Sequence, residues 1–214
     1  MTLWVSPAAL VPLLIVSGAA LASSAPCGNT TECVRLLAER QRATWAVAAR
    51  FEQTKHLSLL TEPLVTRGRF AFKQPDLVIW EIDDPPTTLR IDGSGVHLQS
   101  SRLDKGDVAA VSQVGSLFRT ISGLFTGALG DVERDFTVEA SGDAETLRVH
   151  LVPRRPEWQR IATAIDMTFA GPASTVQSFH LQEPLGDRLD VVFSDVRRND
   201  EVPAALFDPP PTAR

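Results

Sequence analysis

The chain has 214 residues, 43% hydrophobic, 22% charged and 7% aromatic, a globular balance that excludes a disordered chain, a collagen-like repeat and a polytopic membrane protein. Lys and Arg number 21 against 26 Asp and Glu, for a net charge of −5; with no basic field to draw in a phosphate backbone, nucleic acid is not expected as a partner. The length suits one domain whose core needs no disulfide to hold it.

Met1 to Thr31 contain no Asp, Glu, Lys or Arg, and Leu10 to Ala20 are almost wholly apolar. Ala20-Leu21-Ala22 supplies a small-x-small cleavage site, so residues 1–22 read as a secretory signal peptide and 23–214 as a single mature domain. Pro7, Pro12 and an n-region with no charge beyond the terminal amine leave an uncleaved anchor as the alternative. The proline in Ser24-Ala25-Pro26 argues against lipid attachment at Cys27. Cys27 and Cys33 are the two cysteines. In an oxidising compartment they can pair and staple a short loop; a redox pair or a metal site would want Cys-x-x-Cys spacing or a nearby histidine.

Asn29 ahead of Thr30, Thr31 and Glu32 is an N-cap pattern, opening a short amphipathic helix to about Arg42. The period then becomes two. Trp45, Val47, Ala49, Phe51 and Gln53 alternate with Ala46, Ala48, Arg50 and Glu52, which predicts a strand with one buried face. Arg67 to Lys73 alternate again around Phe70 and Phe72, and Gln74-Pro75-Asp76 is a turn. Leu77 to Asp83, with Val78, Trp80 and Ile82 on one face, then Thr88 to Asp92 and Val96 to Ser100 about Gly93-Ser94-Gly95, complete a meander of about five strands.

Between Asp107 and Leu129 the spacing turns helical, through Val111, Val114, Leu117, Phe118, Ile121, Leu124 and Phe125. Gly115, Gly123 and Gly127 each cost about 1 kcal/mol of helix propensity, which suits a movable cover or a surface helix with incidental glycines. Strands resume at Phe136–Ala140, Thr146–Val152, Ile161–Phe169, Val176–Gln182 and Arg188–Val196, with turns at Gly142-Asp143, Gly171-Pro172 and Gly186-Asp187. About ten strands with few helices predict a mainly β chain whose large antiparallel sheet must curl or be covered.

Chemistry-bearing patterns are scarce. His56, His97, His150 and His180 fall in four separate strand segments without ligand spacing, so no metal is expected. No nucleophile elbow, Walker loop or dinucleotide fingerprint occurs, and Asp83 and Asp84 do not make a carboxylate pair, since adjacent strand residues face opposite ways. No catalytic residue and no cofactor are expected; an exported hydrolase assembled from distant segments is the rival class. What is abundant is an apolar face carrying Trp45, Phe51, Phe70, Phe72 and Trp80, which could be a packed core or a lipid-sized cavity.

The run Gly68-Arg-Phe-Ala-Phe-Lys-Gln-Pro75-Asp-Leu-Val-Ile-Trp80 resembles the periplasmic outer-membrane lipoprotein carrier family, LolA. So do Phe51-Glu-Gln53 before it and, after it, Pro85 or Pro86, Ile91-Asp-Gly93, Leu151-Val-Pro153, the Glu183 to Asp187 turn, Phe193 and Phe207. The resemblance implies an incomplete antiparallel β-barrel, covered by helices, that shields the acyl chains of a lipoprotein or lipid-linked cargo in the periplasm. An inner-membrane export complex would load it, an outer-membrane acceptor would unload it, and the carrier would be monomeric. Carried over by position, Val47, Phe51, Phe70, Phe72, Val78 and Trp80 line the cavity, and Val114, Leu117, Phe118, Ile121 and Phe125 form the lid. Gln74 precedes Pro75 where the family has an arginine that bonds the lid closed, and the chain stops soon after Phe207, where the family continues. Both departures lean toward a specialised paralogue that carries a glycolipid or polyene-type product, or that senses lipid.

Overall fold

A computed structural model describes residues 27–100, 130–143, 145–171 and 173–208. The expected signal peptide and the lid positions Val114, Leu117, Phe118, Ile121 and Phe125 lie outside the described residues.

Helix α1 (Thr30–Gln41) starts where the cap pattern puts it: the Asn29 side chain accepts from the Glu32 N–H at 3.0 Å, and Glu32 reaches back to the Gly28 N–H at 2.8 Å. These two bonds satisfy donors that a helix start otherwise leaves open. The strands are β1 (Ala46–His56), β2 (Leu64–Lys73), β3 (Leu77–Ile82), β4 (Thr87–Asp92), β5 (Gly95–Ser100), β6 (Phe136–Gly142), β7 (Thr146–Pro153), β8 (Ala164–Ala170), β9 (Thr175–Gln182) and β10 (Arg188–Arg198). Two short helices, α2 (Gly130–Asp135) and α3 (Pro156–Gln159), which the sequence pattern did not announce, precede β6 and β8.

All ten strands form one antiparallel sheet in the order β5-β4-β3-β2-β1-β10-β9-β8-β7-β6. The first and last strands pair at its centre, so β5 and β6, consecutive in the chain, become its two edges. The sheet is an incomplete barrel. Register shifts at Ala48/Arg50 between β1 and β10 and at Thr168/Phe169 between β8 and β9 mark bulges, which add the local bend that curvature needs. The β6 edge is covered by the start of α1, where Cys27 N–H donates to the Gly142 carbonyl at 3.0 Å and the Thr30 hydroxyl meets both backbone groups of Ala140. An edge so occupied cannot template pairing with another chain.

Two expectations about β1 need correction. Trp45 precedes the strand and is 41% exposed, its N–H bonded to the Asn199 side chain at 2.9 Å. The strand does not have a single buried face either, because Ala46 and Ala48 are buried on the reverse side with Ala71 and Ile79, beneath Val202 and Phe207. The cause is tertiary: a 3-10 turn over Ala204–Phe207 folds back across the outside of the sheet. Three of the four residues beneath it are alanines, which leaves room for that segment to approach.

Candidate functional site

Register places Val47, Phe72 and Val78 in one row across β1, β2 and β3, and Phe70 directly opposite Trp80. With Phe51 these six predicted positions share the concave face, each between 0% and 7% exposed. The rings meet because of a glycine. Gly68 lies opposite Phe51, and a Cβ there would stand 2.7 Å from the Phe51 ring and run into the Glu81 carbonyl. With no side chain in between, Phe51 and Trp80 stack across β2 with centroids 4.1 Å apart and planes at 29°. Phe70 and Phe193 close the cluster edge-on, Phe193 lying 5.7 Å from Phe70 and 6.2 Å from Trp80. Offset and edge-on contacts of this kind add about 0.5–1.5 kcal/mol per pair beyond burial.

The six predicted positions all lie on one side of this face, in β1 to β3. Across the centre of the sheet it continues through Phe193, Phe179, Met167 and Phe169 to Leu147 and Leu151 at the far side, all in one buried cluster. These were legible as alternation in β7 to β10, but nothing local says that the two halves of the chain share one concavity. Among the helices, α1 contributes Cys33 and Leu37, α2 Val132 and α3 Trp158 to the same cluster.

Outside, the sheet is a lattice of charges. Arg67 pairs with Glu52 at 2.7 Å, Arg69 with Glu81 at 2.6 Å and Arg50 with Asp83 at 3.7 Å. The histidines of the strands face carboxylates on neighbouring strands, His150 to Asp166 at 2.7 Å and His180 to Asp190 at 2.8 Å. Burial alone would raise the Asp190 carboxyl, but hydrogen bonds and charge from His180 and Arg188 outweigh it and hold it below the usual carboxylate range. Among the described residues no group of three or more His, Cys, Asp or Glu is arranged to hold a metal. Gln74 donates from Nε2 to the Thr44 carbonyl at 3.0 Å, tying the β2–β3 turn to the approach to β1. Cys27 and Cys33 are joined as a disulfide with Cα atoms 5.3 Å apart.

An open antiparallel sheet with a continuous apolar cluster on its inner face, and an outer face that is ionic apart from the patch under Val202 and Phe207, is a half-barrel with a water-excluding interior. The sequence profile described as outer membrane lipoprotein carrier protein LolA matches residues 42–210, and the chain belongs to that family. It is 21% identical over 198 residues to an outer-membrane lipoprotein carrier protein of Pseudomonas entomophila, covering 92% of each chain. With the protein of the same name from Azotobacter vinelandii it shares 27% over 203 residues, 93% of each. Among solved structures, a LolA superfamily protein from Nitrosomonas europaea superposes with a TM-score of 0.40 at 9% identity, over 85% of this chain and 98% of that one. The lipoprotein LppX of Mycobacterium tuberculosis does so with a TM-score of 0.37 at 10% identity, over 80% of this chain and 95% of that one.

Proposed function

We propose that this protein is a periplasmic carrier that holds the acyl chains of a lipoprotein, or of a lipid-linked ligand, against the concave face while moving them between membranes. The observation that carries this reading is the continuous apolar face from β5 to β6 in a sheet that is not closed. Its relatives are named as outer-membrane lipoprotein carriers, which supports the same class of cargo here. Each methylene kept from water is worth about 0.8 kcal/mol, so shielding about ten of them supplies about 8 kcal/mol. That retains a chain without a covalent bond, and a gate that opens is enough to release it. The side chains that would touch cargo, Val47, Phe51, Phe70, Phe72, Val78, Trp80 and Phe193, carry no acid, base or nucleophile, so the proposal assigns no catalysis and no cofactor.

In this reading residues 1–22 direct export, 23–214 form one carrier domain, and Val114, Leu117, Phe118, Ile121 and Phe125 cover the concavity. An inner-membrane export complex is the donor, an outer-membrane acceptor the recipient, and the carrier works as a monomer. Among the described residues no helix is long and apolar enough to cross a membrane. Native mass spectrometry of the processed protein, taken from a periplasm without detergent and followed by lipid extraction, is the test. Bound acyl-chain mass that a hydrophobic dye displaces is the expected result. A clean apo mass with no dye uptake would mean that the aromatic face is simply core.

A further inference from the structure

Two loops at one end of the sheet break the rule that large apolar side chains are covered. Leu59, in the loop after β1, is 94% exposed, and Leu185, in the loop after β9, is 95% exposed; Leu60 and Leu64 are about half exposed beside the first. The loops are neighbours, because β1 and β10 pair out to His56 opposite Arg188. They are also braced to one another: Lys55 pairs with Glu183, and Asp187 accepts the Ser58 N–H at 2.7 Å. Within each loop a backbone bond shuts the turn, Leu60 N–H to the Leu57 carbonyl at 2.9 Å and Glu183 N–H to the Asp187 carbonyl at 2.8 Å. Leu185 has φ 74° and ψ 8°, a left-handed conformation that glycine or asparagine adopts easily and a leucine does not. A leucine that is both strained and almost wholly in water gains nothing for the fold. Such outliers point to a role outside it.

We infer that these paired leucine tips dip into the surface of a phospholipid bilayer and seat the carrier there reversibly. The inference rests on the carrier reading and adds the contact through which cargo would be exchanged. Shape supports a bilayer, since the tips are convex, and isolated side chains enter a soft apolar phase without needing matched pockets. Position supports it too. In an antiparallel sheet the end that carries the β1–β2 and β9–β10 loops is also the end where the chain leaves β5 and returns through α2 into β6, opposite the end that α1 occupies beside Ala140 and Gly142. Charge identifies the kind of attraction. The fixed cations around the tips are already matched, Lys55 by Glu183, Arg67 by Glu52 and Arg188 by Asp190, while Glu62 adds a negative charge to the first loop. With no surplus positive field, the contact is apolar insertion and does not depend on anionic lipid or on low salt.

Flotation of the full processed protein with vesicles decides the matter, comparing phosphatidylcholine alone with phosphatidylethanolamine mixed with phosphatidylglycerol, at low and high salt. Wild type is expected to float with both, insensitive to salt. A double variant, Leu59→Ser with Leu185→Asn, is expected to lose about a hundredfold in partitioning, the effect of withdrawing two leucines from an apolar phase. The asparagine suits the left-handed backbone, so folding is unharmed, as a thermal melt checks. Leu59→Trp should float as wild type does and add blue-shifted emission on vesicles. Wild type that stays off both vesicles, or a double variant that floats equally well, overturns the inference. So does binding that requires phosphatidylglycerol and vanishes in salt, or a wild-type sedimentation mass that falls only in the double variant, which would make the tips a contact between copies. Uptake of a hydrophobic dye by the concave face is followed in parallel: its loss with flotation intact counts against the carrier reading, and its retention without flotation counts against this inference alone.

Discussion

Gly68→Ala tests the aromatic site at its narrowest point. An added Cβ at this position meets the Phe51 ring at 2.7 Å and the Glu81 carbonyl carbon at 2.9 Å, and overlaps the Glu81 oxygen. Real Cβ atoms do not come so close, and two of these three neighbours are backbone, so β2 and β3 must separate or the ring must leave. Overpacking of this kind costs about 1–3 kcal/mol, and losing the 4.1 Å Phe51–Trp80 stack adds about 0.5–1.5 kcal/mol. Against this, alanine restricts the unfolded chain and returns up to about 1 kcal/mol. The net expectation is a loss of about 2–3 kcal/mol, read from urea midpoints, with weakened hydrophobic-dye uptake in the fraction that stays folded. The ring's share is separable: in a cycle with Phe51→Ala, part of the cost of Gly68→Ala disappears, a coupling of about 1 kcal/mol, while the part due to Glu81 backbone stays. A variant within 0.5 kcal/mol of wild type (roughly the spread of neutral substitutions), with dye uptake intact and no coupling to Phe51, would refute the claim that the glycine makes the stack.

Two further outcomes follow from the geometry. Replacing both Cys27 and Cys33 by serine removes a short loop closure and should lower stability by about 2 kcal/mol, with hydrogen exchange rising first at the backbone amides of Ala140 and of residue 27, which bond the Thr30 hydroxyl and the Gly142 carbonyl where α1 covers the sheet edge; equal exchange there with and without dithiothreitol in wild type would count against that role. Asp190 has its folded pKa held below the ordinary 3.8 by His180 and Arg188 in spite of burial, so its contribution is fully present above 3.8 and is lost as pH falls through the depressed folded value. Asp190→Asn should therefore be less stable than wild type at neutral pH, and the gap should shrink in acid below about pH 4; urea midpoints that stay parallel down to pH 2 would contradict it.

Much of this architecture is written locally. Alternation at Val47/Ala49/Phe51, Phe70/Phe72 and Val78/Trp80 states which side chains share a face, because a strand's period of two leaves no freedom. The same alternation at Leu147/Val149/Leu151 announces the other half of the sheet, and the cap at Asn29 is a matter of three residues. Local pattern fails wherever a partner far along the chain decides burial. Ala48 reads as the outer side of its strand and is buried all the same, since Val202 and Phe207 come back over it. Trp45 reads as core and stands in solvent because pairing begins one residue later.

The sequence by itself determined the class, an antiparallel sheet with an apolar inner face, since side-chain period and turn residues act over a few positions. Tertiary structure alone decided that β1 joins β10, that Phe51 and Trp80 meet across Gly68, that Phe193 closes their cluster, and that the loops carrying the exposed Leu59 and Leu185 are neighbours. Each of those depends on which strand lies next to which, a choice made by the closing of the whole sheet and not encoded in any short run of residues.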